Sequence, residues 1–142
     1  MELTDLFDIK FKNHAKHNKV IVFLVGKVKR FEADMTQIKK LINEYLKLIK
    51  EYKELSVCFD MRSFDSVSMK SVWEGVSECS NNDHIIAKSI RQECFIMDNT
   101  KMIYIINTVI RIHKPIFRFK MVKTLKEAVV FMGEGMANNY IK

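Results

Sequence analysis

Between Val20 and Met132 the chain alternates short, nearly continuous apolar runs with longer stretches at helical spacing, and few folds accept that order. Leu6 to Lys12 alternates from Phe7 onward as a half-buried strand does, and the polar Asn13 to Lys19 suits a hairpin loop. Val20 to Val28 is β-branched and aromatic, as expected of a central strand covered on both faces. Asp34 then opens a helix, with Gln37 placed to complete a capping box. Ile38, Leu41, Ile42, Tyr45, Leu46, Ile49 and Tyr52 share one face of it, and lysines and glutamates cover the other. Leu55 to Phe59 is a short strand ending at Asp60, and Met61 to Val67 is a loop. Ser68 caps a second helix with the expected stripe Met69, Val72, Trp73, Val76 and Cys79. Ile85 to Ile90 is ambiguous and leads into a strand over Gln92 to Met97. Asn99 caps a third helix, which Pro115 stops. Ile116 to Val122 alternates as a fifth strand, with Arg118 and Lys120 facing out as edge charges. Thr124 and Glu127 form a capping box for a last helix, which Gly133 is placed to end.

Strands joined by helices run parallel and cross over with a right-handed twist, whereas the first two strands pair as an antiparallel hairpin. The expectation is an α/β fold: a mixed five-stranded sheet, an N-terminal β-hairpin followed by βαβ units, with about four helices. The 142 residues fit one domain, 1–142, with 134–142 a weakly determined tail.

Composition excludes several classes. The three cysteines, Cys58, Cys79 and Cys94, are odd in number and far apart, so they read as buried thiols in a reducing compartment. The N-terminus lacks the charged cap and apolar run of a signal peptide, and no apolar stretch is long enough to span a bilayer. The protein is therefore expected to be soluble and cytoplasmic. A formal charge of +7 favours encounter with anionic partners without choosing among them. The abundance of Ile, Lys, Asn and Met is the style of an AT-rich genome, which supplies part of that charge.

The run from Val20 to Met132 resembles STAS-like domains, the fold of sulfate-transporter and anti-sigma-factor antagonist modules, and is most similar to small stand-alone bacterial and viral members that some schemes group with CRAL-TRIO lipid-binding folds. The likeness rests on Leu55-Ser56-Val57-Cys58-Phe59-Asp60-Met61-Arg62, on Ile110-Arg111-Ile112-His113-Lys114-Pro115, and on Phe117-Arg118-Phe119 with Thr124-Leu125-Lys126-Glu127-Ala128. It implies a non-enzymatic module regulated through protein contacts. In the antagonists, a Ser in an Asp-Ser-Ser-Gly-like turn before the second helix is phosphorylated. Asp65-Ser66-Val67-Ser68-Met69 stands there, with the paired Ser split by Val67 and the Gly missing, so the resemblance reaches Ser66 and Ser68 by position rather than by motif.

The glycines Gly26, Gly75, Gly133 and Gly135 form neither a P-loop nor a dinucleotide fingerprint. No nucleophile has an evident partner base and no Cys/His cluster appears, so neither catalytic residues nor a metal or cofactor is expected. His14 and His17 are no more than a site for an adventitious metal. Ser66 and Ser68 are candidate regulatory residues, since a phosphate at a helix N-terminus meets free amides. Asp60, Arg62 and Asp65 follow a parallel strand, where ligands and partners gather, and Trp73 would anchor a partner if exposed. Lys27, Lys29, Arg30, Arg111, Lys114, Arg118 and Lys120 are candidates for binding anions or nucleic acid. The leading expectation is a STAS-like module with a protein partner, or one that forms a homodimer. The rivals are a basic nucleic-acid-binding or virion-associated accessory protein, and a small lipid- or anion-binding protein of CRAL-TRIO type. For the last, the chain is expected to be too short for a deep lipid pocket.

Overall fold

In the computed structural model, which describes residues 1–140, a short helix α1 (Leu3–Leu6) leads into β1 (Phe7–His14), which pairs antiparallel with β2 (Lys19–Gly26). The hairpin turns at Asn18, whose left-handed φ of 49° an Asn tolerates. The elements that follow are β3 (Arg30–Phe31), α2 (Met35–Ile49), β4 (Leu55–Asp60), β5 (Ser66–Val67), α3 (Met69–Asn81) and α4 (Asp83–Ser89). Then come β6 (Ile90–Ile96), α5 (Thr100–Ile112), β7 (Arg118–Val122) and α6 (Leu125–Ala137). The main sheet has five strands in the order β1-β2-β4-β6-β7, parallel from β2 onward. The mixed five-stranded α/β sheet read from the sequence is therefore the observed one.

Because that order advances in one direction, right-handed crossovers place α2, α3 and α5 together on one face. Val22, Leu24, Leu55 and Val57 pack there against Leu41, Tyr45, Met102 and Ile106. Among the described residues the other face carries α6 alone, whose Ala128, Phe131, Met132 and Met136 lie on Cys58, Cys94, Ile96 and Val122. The first capping box forms in full: Asp34 Oδ1 accepts from the Gln37 amide at 2.9 Å, and Gln37 Oε1 from the Asp34 amide at 3.1 Å. Ile85 to Ile90, ambiguous in sequence, folds mostly as α4.

Three expectations need correction. α6 does not end at Gly133 but continues to Ala137, and Met136 and Tyr140 are buried, so the segment expected to be a loose tail is folded as far as Tyr140. Residues 141–142 lie outside the described residues. The stripe of α3 is rotated: Met69 and Trp73 are exposed (43% and 41%), and Ser71 with Gly75 turns inward instead. Arg118 is half-buried rather than free in solvent. It turns under α6, where its Nη1 donates to Gln92 Oε1 at 2.7 Å and to the Phe131 carbonyl at 2.6 Å. The alternation of β7 was read correctly; its outer face is the one α6 covers.

Candidate functional site

Between the sheet and α2, α3 and α5 lies a cavity of about 260 Å³. Its origin is the short side chains of α3. Ser71, Gly75 and Cys79 recur every fourth residue on one line, with Val72 and Val76 beside them, so α3 spans the sheet without filling the space beneath. A Cβ built on Gly75 meets no atom within 4 Å. The floor is a ladder of rings crossing the strands. Phe59 and Phe95 meet edge to face at 5.3 Å, and Phe95 and Phe119 at 5.2 Å. Tyr45 of α2 leans on Phe59 at 5.6 Å. α5 adds Met102, Ile106 and Ile110, and α1 adds Leu3 and Leu6.

One strand residue breaks this apolar lining. Glu93 of β6 lies between Val57 and Phe119 in the register and borders the cavity. No ion pair among the described residues involves it. Burial alone pushes its carboxyl up to about 8, so it carries its proton at neutral pH. Glu93 is half-buried. The Tyr45 hydroxyl is buried without a hydrogen-bond partner, and burial followed by the nearby Glu93 and Cys79 raises it well above its ordinary value. Burial first, then Glu93, Asp83 and Glu78, pushes the Cys79 thiol up to about 12. Asp83 also borders the cavity, its carboxyl raised by burial against an opposing effect of His84. His113 borders it past the end of α5. The chain has 24 Lys and Arg, yet among the described residues none lines this space. Sequence reasoning did not single out Glu93. Its one signal was a carboxylate within the strand read over Gln92 to Met97.

The residues singled out in sequence lie mostly at the carboxyl end of the parallel strands. Asp60 and Arg62 hold each other: Nε donates to Oδ1 at 2.9 Å and Nη2 to Oδ2 at 2.7 Å. Burial raises the Asp60 carboxyl, but the hydrogen bonds and charge of Arg62 outweigh it, leaving the group below its ordinary value. Ser66 is exposed in β5, opposite Arg30 in the parallel pair with β3. The amides of Asp65 and Ser66 both donate to the Lys29 carbonyl, at 2.7 and 3.2 Å. The fold thus gathers Lys29, Arg30, Asp65 and Ser66. Ser68 caps α3: its Oγ accepts from the Ser71 amide at 3.0 Å and donates to Ser71 Oγ at 2.8 Å. Trp73 meets the His113 ring edge to face at 4.8 Å. Lys27 lies 3.7 Å from Asp8. Arg111, Lys114 and Lys120 are exposed, whereas Arg118 is withdrawn as described. His14 and His17 stack at 5.0 Å. Among the described residues no group of His, Cys, Asp and Glu is arranged to hold a metal, and no helix is long and apolar enough to cross a membrane.

No family model matches the sequence, and no curated protein matches it. Among solved structures, the chain is similar to an uncharacterized protein of the DUF3478 family with a SpoIIAA-like fold from Shewanella loihica PV-4. The identity is 17% with a TM-score of 0.51, over 88% of this chain and 92% of that one. The chain therefore has the SpoIIAA-like, STAS-like α/β fold.

Proposed function

We propose that the protein is a non-catalytic binding module whose interior cavity takes a small, mainly apolar ligand. The observation that carries this reading is the 260 Å³ space floored by Phe59, Phe95 and Phe119 and left open by the short side chains of α3. Ligand sites of small molecules are mostly apolar spaces with few polar groups, and this cavity has that character. A void of about 150 Å³ holds benzene, so this one suits a ligand of about ten heavy atoms and not a whole phospholipid.

The test is calorimetric titration of the purified protein with 4-phenylbutan-1-ol, alongside the variant Gly75→Leu, which puts a side chain into the open space. Saturable binding by the wild type, weakened at least about tenfold in the variant, is expected. Absence of binding, or equal binding by both, would sink the reading.

A second reading keeps the protein partner expected from sequence. It is favoured by Trp73, which at 41% exposure presents a large amphipathic ring on the outer face of α3. The two readings are compatible, because α3 borders the cavity with one face and carries Trp73 on another. Binding through the basic residues is left to Lys27, Lys29, Arg30, Arg111, Lys114 and Lys120, since Arg118 is engaged under α6.

A further inference from the structure

We propose that the cavity selects an uncharged, mainly apolar molecule bearing a single hydroxyl group, which exchanges hydrogen bonds with the carboxyl group of Glu93. This inference rests on the cavity reading above and names the chemistry of its ligand. Three observations carry it. First, Glu93 is the one charged-type residue that the strands put into the cavity wall, amid the rings of Phe59, Phe95 and Phe119, and its carboxyl group forms no ion pair among the described residues. Buried polar groups in proteins nearly always have a partner, so a carboxyl bordering an empty apolar space defines where a ligand's polar atom belongs. Second, the hydroxyl of Tyr45, on the facing helix α2, also lacks a partner. Third, no Lys or Arg among the described residues lines the space, in a chain of net charge +7.

These observations exclude the other head groups in turn. A carboxylate or phosphate entering the cavity would leave water for a wall that holds Glu93 and Asp83, with no Lys or Arg among the described residues and His113 at its margin. An ammonium group would require a second charge, on Glu93, in the same apolar space. An isolated buried pair recovers its desolvation only when further hydrogen bonds complete it, and this lining supplies few. A pure hydrocarbon would fit but would leave the carboxyl unpaired. A hydroxyl both donates and accepts, as does a protonated carboxyl, so the two satisfy one another without moving a charge. The titratable groups facing Glu93 are Tyr45 from α2, Cys79 from α3 and Asp83 from α4, with His113 beyond the end of α5; β7 contributes Phe119. Burial raises Glu93, Tyr45 and Cys79, which keeps these three groups uncharged near neutral pH, and it also moves Asp83 upward from its ordinary value.

The experiment compares one apolar body with four heads: 4-phenylbutan-1-ol, 4-phenylbutanoate, 4-phenylbutylamine and butylbenzene, titrated at pH 7 into wild type, Glu93→Gln and Glu93→Leu. Wild type is expected to prefer the alcohol to butylbenzene by about tenfold, the worth of one buried hydrogen bond, and to bind the carboxylate and the ammonium more weakly still. Glu93→Gln, which still donates and accepts, is expected to keep the preference; Glu93→Leu, an apolar residue of similar size, is expected to bind the alcohol and butylbenzene alike. If none of the four binds, the cavity reading itself fails. If butylbenzene binds wild type as well as the alcohol, or either ion binds best, or Glu93→Leu keeps the preference, the head-group assignment is overturned while the cavity reading stands.

Discussion

Arg118 Nη1 donates to Gln92 Oε1 at 2.7 Å across two parallel strands, and Gln92 in turn donates from Nε2 to Ser56 Oγ at 2.7 Å and to the Met132 carbonyl at 2.8 Å. With the bond from Arg118 to the Phe131 carbonyl, this chain ties β4, β6 and β7 to α6. Gln92 is fully buried, so its amide depends on all these partners. The guanidinium also lies 3.5 Å from the Phe131 ring centroid. Arg118→Ala is therefore expected to cost about 2–3 kcal/mol in urea denaturation, because it strips Gln92 of a charged donor and frees a helix carbonyl. A cost within about 0.5 kcal/mol would mean the network contributes nothing to stability.

Gly135 lets α6 approach that network. A Cβ there would overlap Gln92 Oε1 and sit 2.7 Å from Arg118 Nη1. Gly75 and Gly133 are also helical, but a Cβ on either meets nothing within 4 Å. Glycine to alanine inside a helix ordinarily stabilises by about 0.5–1 kcal/mol. That gain is expected for Gly75→Ala and Gly133→Ala. Gly135→Ala is expected to destabilise by about 2 kcal/mol, since a tightly packed site resists added volume. The three melting temperatures measured side by side decide the matter, and an upward shift for Gly135→Ala would refute the packing argument.

Glu93 makes stability fall with pH. Below its ordinary value of 4.5 the group is protonated in both folded and unfolded chains and has no effect. Between 4.5 and about 8 the unfolded chain ionises while the folded one keeps its proton, so stability drops as pH rises, and above about 8 the loss levels off. Glu93→Gln lacks this loss. The variant is expected to match wild type near pH 4 and to exceed it at pH 7 by up to about 3 kcal/mol, from about 1.4 kcal/mol per pH unit. Denaturation curves at both pH values test this; a gap that does not widen with pH would show that Glu93 is ionised in the folded state.

All three thiols are held protonated. Cys58, Cys79 and Cys94 are each pushed up to about 12, chiefly by burial. Since the thiolate is the reacting species, the native protein is expected to release almost no thionitrobenzoate from Ellman's reagent at pH 8, and all three thiols to react once guanidinium unfolds it. Rapid reaction of any one of them in the native state would contradict its placement.

The parts of the fold legible in sequence were those fixed locally. Asp34 with Gln37, and Thr124 with Glu127, mark helix starts because each pair serves its own first turn. The β-branched and aromatic runs gave the five strands of the main sheet, whereas the two-residue β3 and β5 were not read, Ser66 and Val67 having been placed in a loop. What was missed depends on distant partners. Trp73 was assigned to the core because Met69, Trp73 and Val76 look like a stripe, whereas the inward line of α3 is built from Ser71 and Gly75, which carry no hydrophobic signal. Arg118 was placed in water because its acceptor, Gln92, stands 26 residues away. Gly133 looked like a helix end, but α6 tolerates it, and Gly135 beyond it is required for close approach. The cavity is a property of what α3 leaves unfilled, and an absence of volume has no letter in a sequence.

The strand order has a consequence for how the chain acquires its shape during synthesis. Each strand of the main sheet is laid against the one made before it, β1, β2, β4, β6, β7, so none has to be threaded between two that already pair. As the ribosome delivers the polypeptide, every new segment finds a finished border waiting, and loop closure stays short at each addition. Only α6 turns to the opposite side, after the last border is complete, where its glycine-backed latch on Gln92 closes the assembly from the carboxyl end.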